Sequence, residues 1–164
     1  MGRRTGRGKP PTVELAIASV GIMILVVDDH EPWRSLVVSE LVKEPECEIV
    51  GQVADGLEAV DAAARLTPDL ILLDIGLPSI NGTEVARRVL ATVSGVRILF
   101  LSAHREADIV KAALAAGGHG YVLKSQAGDD LLAAIEMIMQ GRTFVSSRLA
   151  TDPRSTTSAS RAKL

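Results

Sequence analysis

The feature that most constrains this fold is an alternation between short apolar runs and segments whose apolar residues recur with helical spacing. Five segments have the length and apolar content of β-strands and lie at 22–27, 48–53, 69–73, 97–101 and 119–123, although alternation at 48–53 is weak. Helical spacing follows these runs, for example at 56–66, 105–116 and 127–140. Strands that alternate with helices pair in parallel and are covered by helices on both faces. The sequence therefore predicts an α/β fold of five βα units, (βα)5.

The 164 residues are enough for one domain, and the charge divides the chain into three parts. Residues 1–21 and residues 148–164 each contain four basic residues and one acidic residue, so each end has a net charge of +3. The part between them has a net charge of −8. We predict a basic, flexible N-terminal extension at 1–21, a folded domain at 22–147 and a disordered tail rich in Ser, Thr and Arg at 148–164.

Composition excludes several classes of protein. The single cysteine, Cys47, excludes an internal disulfide and a zinc site built from cysteines, and we interpret it as a half-buried apolar residue. Aromatic residues make up only 2% of the chain, too few for a surface that stacks nucleic-acid bases. Arg3 and Arg4 precede an apolar run at 15–27, as in a signal peptide, but that run leads directly into two aspartates without a cleavage site. It is also too short to span a bilayer, so a cytoplasmic protein without membrane contact is expected.

Five polar side chains directly follow the predicted strands. They are Asp28 and Asp29 after the first strand, Asp74 after the third, Ser102 after the fourth and Lys124 after the fifth. Each has an ordinary explanation when taken alone, such as a helix cap or a solvated loop charge. In an open parallel sheet, however, ligands bind beyond the carboxyl ends of the strands. The coincidence of all five therefore predicts a single site.

The residue types at this site indicate phosphoryl chemistry. Three neighbouring carboxylates repel one another, and Mg²⁺ is the hard cation that relieves this repulsion while keeping open positions for water. An ammonium and a hydroxyl can pair with the oxygens of a phosphoryl group. An aspartate can take up that group covalently. His30 is interpreted as a loop residue, because no second histidine has metal-ligand spacing.

Four segments together resemble the receiver domain of bacterial two-component response regulators, and most closely the NarL/LuxR-type subfamily. They are VVDDH at 26–30, LLDIGLP at 72–78 with Asn81-Gly82, LSAH at 101–104 and GYVLK at 120–124. The resemblance covers about residues 22–145. It implies a flavodoxin-like sandwich with strand order 2-1-3-4-5.

The resemblance also implies a role for each site residue. Asp74 would accept a phosphoryl group from a histidine kinase, and Lys124 would pair with that group. Mg²⁺ would be held by Asp28, Asp29, Asp74 and the backbone carbonyl of Gly76. Ser102 would be the switch hydroxyl, and Tyr121 would turn inward as Ser102 moves toward the phosphoryl group. The signal would be read on the fourth helix, fifth strand and fifth helix. Such a protein is not a turnover enzyme and has at most weak autophosphatase activity.

The expected partners are a sensor histidine kinase, an unidentified downstream protein and, after phosphorylation, a second copy of the chain. The NarL/LuxR-type subfamily carries a helix-turn-helix domain of about 60 residues, for which residues 141–164 are too short. Specific DNA binding is therefore not expected, and three positive charges at each end would bind DNA only weakly.

Two alternative functions are also compatible with the sequence. One is a receiver fragment of a LuxR-type transcriptional regulator that has lost its DNA-binding domain and acts only as a binding module. The other is a magnesium phosphohydrolase, which would want a second acid two residues after its nucleophile, where this chain has Gly76.

Overall fold

A parallel β-sheet of six strands, with helices on both faces, forms the framework of the computed structural model, which describes residues 21–150. The strands are β1 (Ile22–Val27), β2 (Cys47–Val53), β3 (Leu70–Leu73), β4 (Arg97–Ser102), β5 (Gly120–Leu123) and β6 (Phe144–Val145). The helices are α1 (Glu31–Leu41), α2 (Gly56–Leu66), α3 (Gly82–Thr92), α4 (Ala107–Ala115), α5 (Ala127–Met139) and α6 (Ser147–Ala150). A 3-10 turn at Lys124–Gln126 connects β5 to α5.

The strand order is β2-β1-β3-β4-β5-β6, so the predicted (βα)5 fold and the order 2-1-3-4-5 are confirmed. The sixth strand was not predicted from the sequence. It contains only two residues and pairs in parallel with Gly120 and Tyr121 of β5. Two residues are too short a segment to show an apolar pattern.

The sheet separates two apolar cores, because alternate residues of a strand point to opposite faces. Leu25 and Val27 of β1 face the core formed with α2, α3 and α4, whereas Ile24 and Val26 face the core formed with α1 and α5. All four residues of β3 are buried, as expected for a strand covered on both faces. This packing fixes the positions at which the strands end.

Local signals in the sequence account for the helix boundaries. The side chain of Asp55 accepts a hydrogen bond from the backbone N–H of Glu58 at the start of α2, and Asn81 caps α3 in the same way. After α4, Gly117 has φ +107°, the left-handed conformation expected of the Gly117-Gly118 pair.

The predicted domain boundaries lie mostly at the edges of the described part. Helix α6 extends three residues beyond position 147, the predicted end of the folded domain. The predicted flexible extension, except residue 21, and the tail after residue 150 lie outside the described residues. Within residues 21–150, no helix has the length and apolar character needed to cross a membrane.

Candidate functional site

The strand register brings the predicted aspartates together at the carboxyl edge of the sheet. Val27 of β1 pairs with Leu73 of β3, so the residues that follow them, Asp28 and Asp74, are neighbours. One carboxylate oxygen from each of Asp28, Asp29 and Asp74 lies within 4.8 Å of the others. Asp28 and Asp74 are buried, with 3% and 9% exposure, whereas Asp29 is exposed to solvent.

Lys124 joins this cluster from β5. Its Nζ lies 2.6 Å from Oδ2 of Asp28 and 3.3 Å from Oδ2 of Asp74. The three carboxylates and one ammonium give the cluster a net charge of −2 when all are ionised. A divalent cation would balance this charge, and carboxylate oxygens are the ligands that Mg²⁺ prefers. The residues present therefore fit a magnesium ion.

Backbone contacts hold Asp74 in place. Its N–H donates to the carbonyl of Val27 at 3.0 Å, and its Oδ1 accepts a hydrogen bond from the N–H of Ile75 at 2.8 Å. A Cβ at Gly82, the first residue of α3, would lie only 2.1 Å from the carbonyl oxygen of Asp74. Only glycine allows α3 to begin this close to the acidic residue.

The first strand end is fixed in a similar way. The Oδ1 atom of Asp28 accepts a hydrogen bond from the N–H of His30 at 2.9 Å, and the carbonyl of Asp28 accepts one from Nη1 of Arg34 at 2.6 Å. His30 thus contributes its backbone here, in agreement with its interpretation as a loop residue. Arg34 anchors the loop from α1, a role that the sequence reasoning missed.

A second residue of α1, Trp33, also escaped the sequence analysis. The Nζ atom of Lys124 lies 5.6 Å from the centroid of the Trp33 ring, within the range of a cation–π contact. The indole therefore contacts the ammonium in addition to the two carboxylates. The only signal in the sequence is an aromatic residue in the first turn of the helix that follows Asp28 and Asp29.

The predicted ligand Gly76 lies in the exposed loop after β3. The neighbouring carbonyl of Ile75 accepts hydrogen bonds from the N–H groups of Leu77 and Gly82. Among the hydrogen bonds of residues 21–150, none ends on the carbonyl of Gly76. Within the described residues that oxygen is therefore available to a metal ion.

Ser102 and Tyr121 form a separate group beside the acidic cluster. Both residues are completely buried, and both contact the backbone of His104. The Ser102 hydroxyl accepts the His104 N–H at 3.2 Å, and the Tyr121 hydroxyl donates to the His104 carbonyl at 2.6 Å. Burial raises the pKa of the Tyr121 phenol, while the nearby Ser102 hydroxyl acts in the opposite direction. Within the described part of the chain, Ser102 makes no hydrogen bond to Asp74 or Lys124.

The Tyr121 ring occupies an inward position in this structure. It stacks against Phe100 with a centroid separation of 6.3 Å and an interplanar angle of 29°. The resemblance to receiver domains assigned this inward position to the phosphorylated state. The hydroxyl reaches the loop before α4, which connects the acidic edge of the sheet to that helix.

Comparisons with known proteins agree with this geometry. Residues 24–136 match the family model of the response regulator receiver domain. The chain is 36% identical over 124 residues to the transcriptional regulatory protein DegU of Brevibacillus brevis, which covers 76% of this chain and 52% of DegU. It is 35% identical over 127 residues to the nitrate/nitrite response regulator protein NarL of Escherichia coli K12, covering 77% of this chain and 58% of NarL.

A solved structure is similar as well. The two-component response regulator of the LuxR family from Aurantimonas sp. SI85-9A1 superposes with a TM-score of 0.78 at 31% identity, covering 82% of this chain and 96% of the other. The chain spans somewhat more than half the length of the curated relatives it matches. From the matched family model and the relatives of NarL and LuxR type, the chain belongs to the response regulator receiver domain family.

Proposed function

We propose that this chain takes a phosphoryl group from a histidine kinase onto Asp74 in the presence of Mg²⁺, and that this modification switches a protein-interaction face. The observation that carries the proposal is the position of Lys124, whose ammonium touches both Asp74 and Asp28 at the edge of the sheet. The chain acts as an acceptor with at most weak autophosphatase activity, and we place it in the cytoplasm.

The transfer forms one bond and breaks one bond. A carboxylate oxygen of Asp74 bonds to phosphorus as the bond between phosphorus and the kinase imidazole nitrogen breaks. The electron pair of the broken bond stays on the imidazole, and the product on this chain is an acyl phosphate. When bound by Asp28, Asp29, Asp74 and the carbonyl of Gly76, Mg²⁺ supplies positive charge against the phosphoryl oxygens.

Lys124 is placed to pair with the new phosphoryl group. Its ammonium is shared between Asp28 and Asp74, with the shorter distance to Asp28. Phosphorylation puts additional negative charge on Asp74, which favours movement of the ammonium toward that side. The Trp33 ring limits the directions in which the ammonium can move, because it lies beside Nζ.

Ser102 and His104 provide the connection to the interaction face. The Ser102 oxygen accepts a hydrogen bond from His104, so its own proton is available for donation to a phosphoryl oxygen. When the hydroxyl turns toward Asp74, the His104 N–H loses its acceptor, and Tyr121 remains bonded to the His104 carbonyl. The loop before α4 then rearranges, and the surface of α4, β5 and α5 changes. Homodimer formation or binding of a downstream protein would read this change.

Incubation with acetyl phosphate and Mg²⁺ tests the phosphorylation step. We expect intact-mass spectrometry to show the gain of one phosphoryl group, which hydroxylamine removes and chelation of Mg²⁺ prevents. Asp74→Asn should abolish the gain. The exposed helix residue Asp61 supplies the matched control, and Asp61→Asn should retain it. An equal gain in Asp74→Asn would show that the acceptor is another residue.

The switching step needs its own measurement. Hydrogen exchange of the loop at 103–106 should differ between phosphorylated and unmodified protein, and Ser102→Ala should remove that difference. If exchange, oligomeric state and kinase binding all remain the same after phosphorylation, the chain acts only as a binding module, which is the fragment hypothesis.

A further inference from the structure

A groove of about 360 Å³ lies at the opposite edge of the sheet from Asp74. It opens between the first residues of β1 and β2 and the second half of α5. Its apolar wall consists of Ile22, Cys47, Leu132, Ile135 and Met139. Leu132 is 47% exposed, a large fraction for a leucine in contact with other apolar residues.

The mouth of this groove is acidic. Glu44, Glu46 and Glu136 line it, and none of the three forms an ion pair with another residue in the range 21–150. Three carboxylates without an ion-pair partner among these residues, around an apolar wall, favour an occupant that is apolar in one part and basic in another.

The first described residues of the chain, Gly21 and Ile22, lie at this groove. The N–H of Ile22 donates to the carbonyl of Glu46 at 2.6 Å, and Gly21 lies against the same carbonyl. Residues 13–20 contain Glu14 as their only charged residue and otherwise consist of apolar residues and one serine. The four bases of the first part of the chain, Arg3, Arg4, Arg7 and Lys9, come before that segment.

We propose that residues 13–20 dock into this groove and that the bases at 3–9 pair with its acidic mouth. The segment is joined to the wall at Ile22, so its effective concentration is on the order of millimolar and weak apolar contacts suffice. Eight residues can extend over as much as ~27 Å, which allows the bases to reach the mouth. In the docked state residues 13–20 would be ordered on the groove, in contrast to the flexible extension expected from the sequence. They would also cover the exposed side of α5. The proposal does not depend on phosphorylation of Asp74.

Cys47, the only cysteine of the chain, is a built-in reporter of access to the groove. Burial and the carboxylates of Glu44 and Glu46 raise the pKa of its thiol. We would measure the rate of alkylation by iodoacetamide in the full chain. Ile17→Asp should increase that rate roughly fivefold, which corresponds to a docked fraction of about four-fifths in the unchanged chain.

The matched control is Thr156→Asp, which makes the same charge change outside residues 3–20 and should alter the rate less than about twofold. If the bases at 3–9 moved away from the groove, the pKa of the Cys47 thiol would rise further and alkylation would slow. An increase in the alkylation rate therefore reports access to the thiol rather than a change in charge. Leu132→Asp, on the wall of the groove, should also raise the rate, and Ile17→Asp should then add nothing further. Circular dichroism would verify that each variant is folded.

Each other outcome overturns the proposal. An unchanged rate in Ile17→Asp means that the segment does not dock. Equal increases in Ile17→Asp and Thr156→Asp mean that net charge, not apolar contact, controls access. A rate that falls as the protein concentration rises means that a second copy of the chain fills the groove instead.

Discussion

Replacing Gly82 with alanine should destabilise the protein and displace Asp74. The added Cβ would lie 2.1 Å from the carbonyl oxygen of Asp74 and 2.9 Å from Cα of Ile75. Real Cβ atoms essentially never approach other heavy atoms within 3.0 Å. Both obstructing atoms belong to the backbone, so no side-chain rotation can relieve the contact. Either the start of α3 or the loop after β3 must move by about 1 Å.

The expected cost follows from three contributions. Overpacking of this kind costs about 1–3 kcal/mol. Weakening the hydrogen bond from the Gly82 N–H to the Ile75 carbonyl, which measures 2.8 Å, costs about 1 kcal/mol more. The higher helix propensity of alanine returns up to ~1 kcal/mol. We therefore expect the free energy of unfolding to fall by about 1–4 kcal/mol and Tm by roughly 3–16 °C.

Urea unfolding followed by circular dichroism measures this change. Gly128→Ala is the matched control, because a Cβ at position 128, in the first turn of α5, meets no atom within 4 Å. That variant should be unchanged or more stable by up to ~1 kcal/mol. Phosphorylation of Gly82→Ala by acetyl phosphate should also be slower, since Asp74 moves relative to Lys124. A free energy of unfolding within about 0.5 kcal/mol of the unchanged protein would refute the reasoning.

Three other predictions concern metal, hydrogen bonding and pH. Mg²⁺ at a hundredfold excess over its Kd should stabilise the protein by about 2.7 kcal/mol. Asp29→Asn should reduce this gain but should not lower the metal-free stability, because Asp29 is exposed and its removal relieves repulsion within the cluster. An unaltered response of Tm to Mg²⁺ would exclude Asp29 as a ligand. Tyr121→Phe removes the hydrogen bond to the His104 carbonyl, so it should lower the free energy of unfolding in urea by about 0.5–1.5 kcal/mol and speed hydrogen exchange around His104. Unchanged exchange would contradict the role of this hydrogen bond. Burial lowers the pKa of His119 below its ordinary value of 6.5, and Nδ1 of His119 accepts a hydrogen bond from the Ile98 N–H. The folded protein therefore favours the neutral imidazole. The stability that this neutral form contributes is present above pH 6.5 and is lost as the pH falls through 6.5 toward the folded pKa. His119→Gln should therefore reduce the slope of the unfolding free energy against pH in that range. An unchanged slope would mean that other groups cause it.

The sequence was sufficient to predict the part of the site that depends on strand ends alone. Apolar runs of strand length placed Asp28, Asp74 and Lys124 directly after their strands, and all parallel strands end at the same edge of the sheet. The structure accordingly brings their charged atoms within contact distance. Periodicity did not provide the order of the strands, which came from the resemblance to receiver domains and was then confirmed.

Contacts between different elements could not be predicted in this way. Trp33 reaches Lys124 only because α1 and the turn after β5 pack on the same face of the sheet, and helical spacing alone says nothing about that contact. The hydroxyl of the inward Tyr121 donates its hydrogen bond to a loop carbonyl, a contact that no side-chain pattern encodes. The need for glycine at position 82 likewise appears only when the distance to the Asp74 backbone is known.

Helix α5 is the element through which the two edges of the sheet can influence each other. It begins after the 3-10 turn that contains Lys124, and its last residue, Met139, lines the groove. β1 also runs between the two edges, but it is hydrogen-bonded on both sides and its central residues are buried, so it is the less free to move. Coupling between two binding equilibria is reciprocal. Beryllium fluoride can be used as a mimic of the phosphoryl group on Asp74. If its binding changes the docking equilibrium of residues 13–20, measured by alkylation of Cys47, then Ile17→Asp must change the affinity for beryllium fluoride by the corresponding factor. An effect in one direction alone would show that the groove reporter responds to something other than docking of residues 13–20.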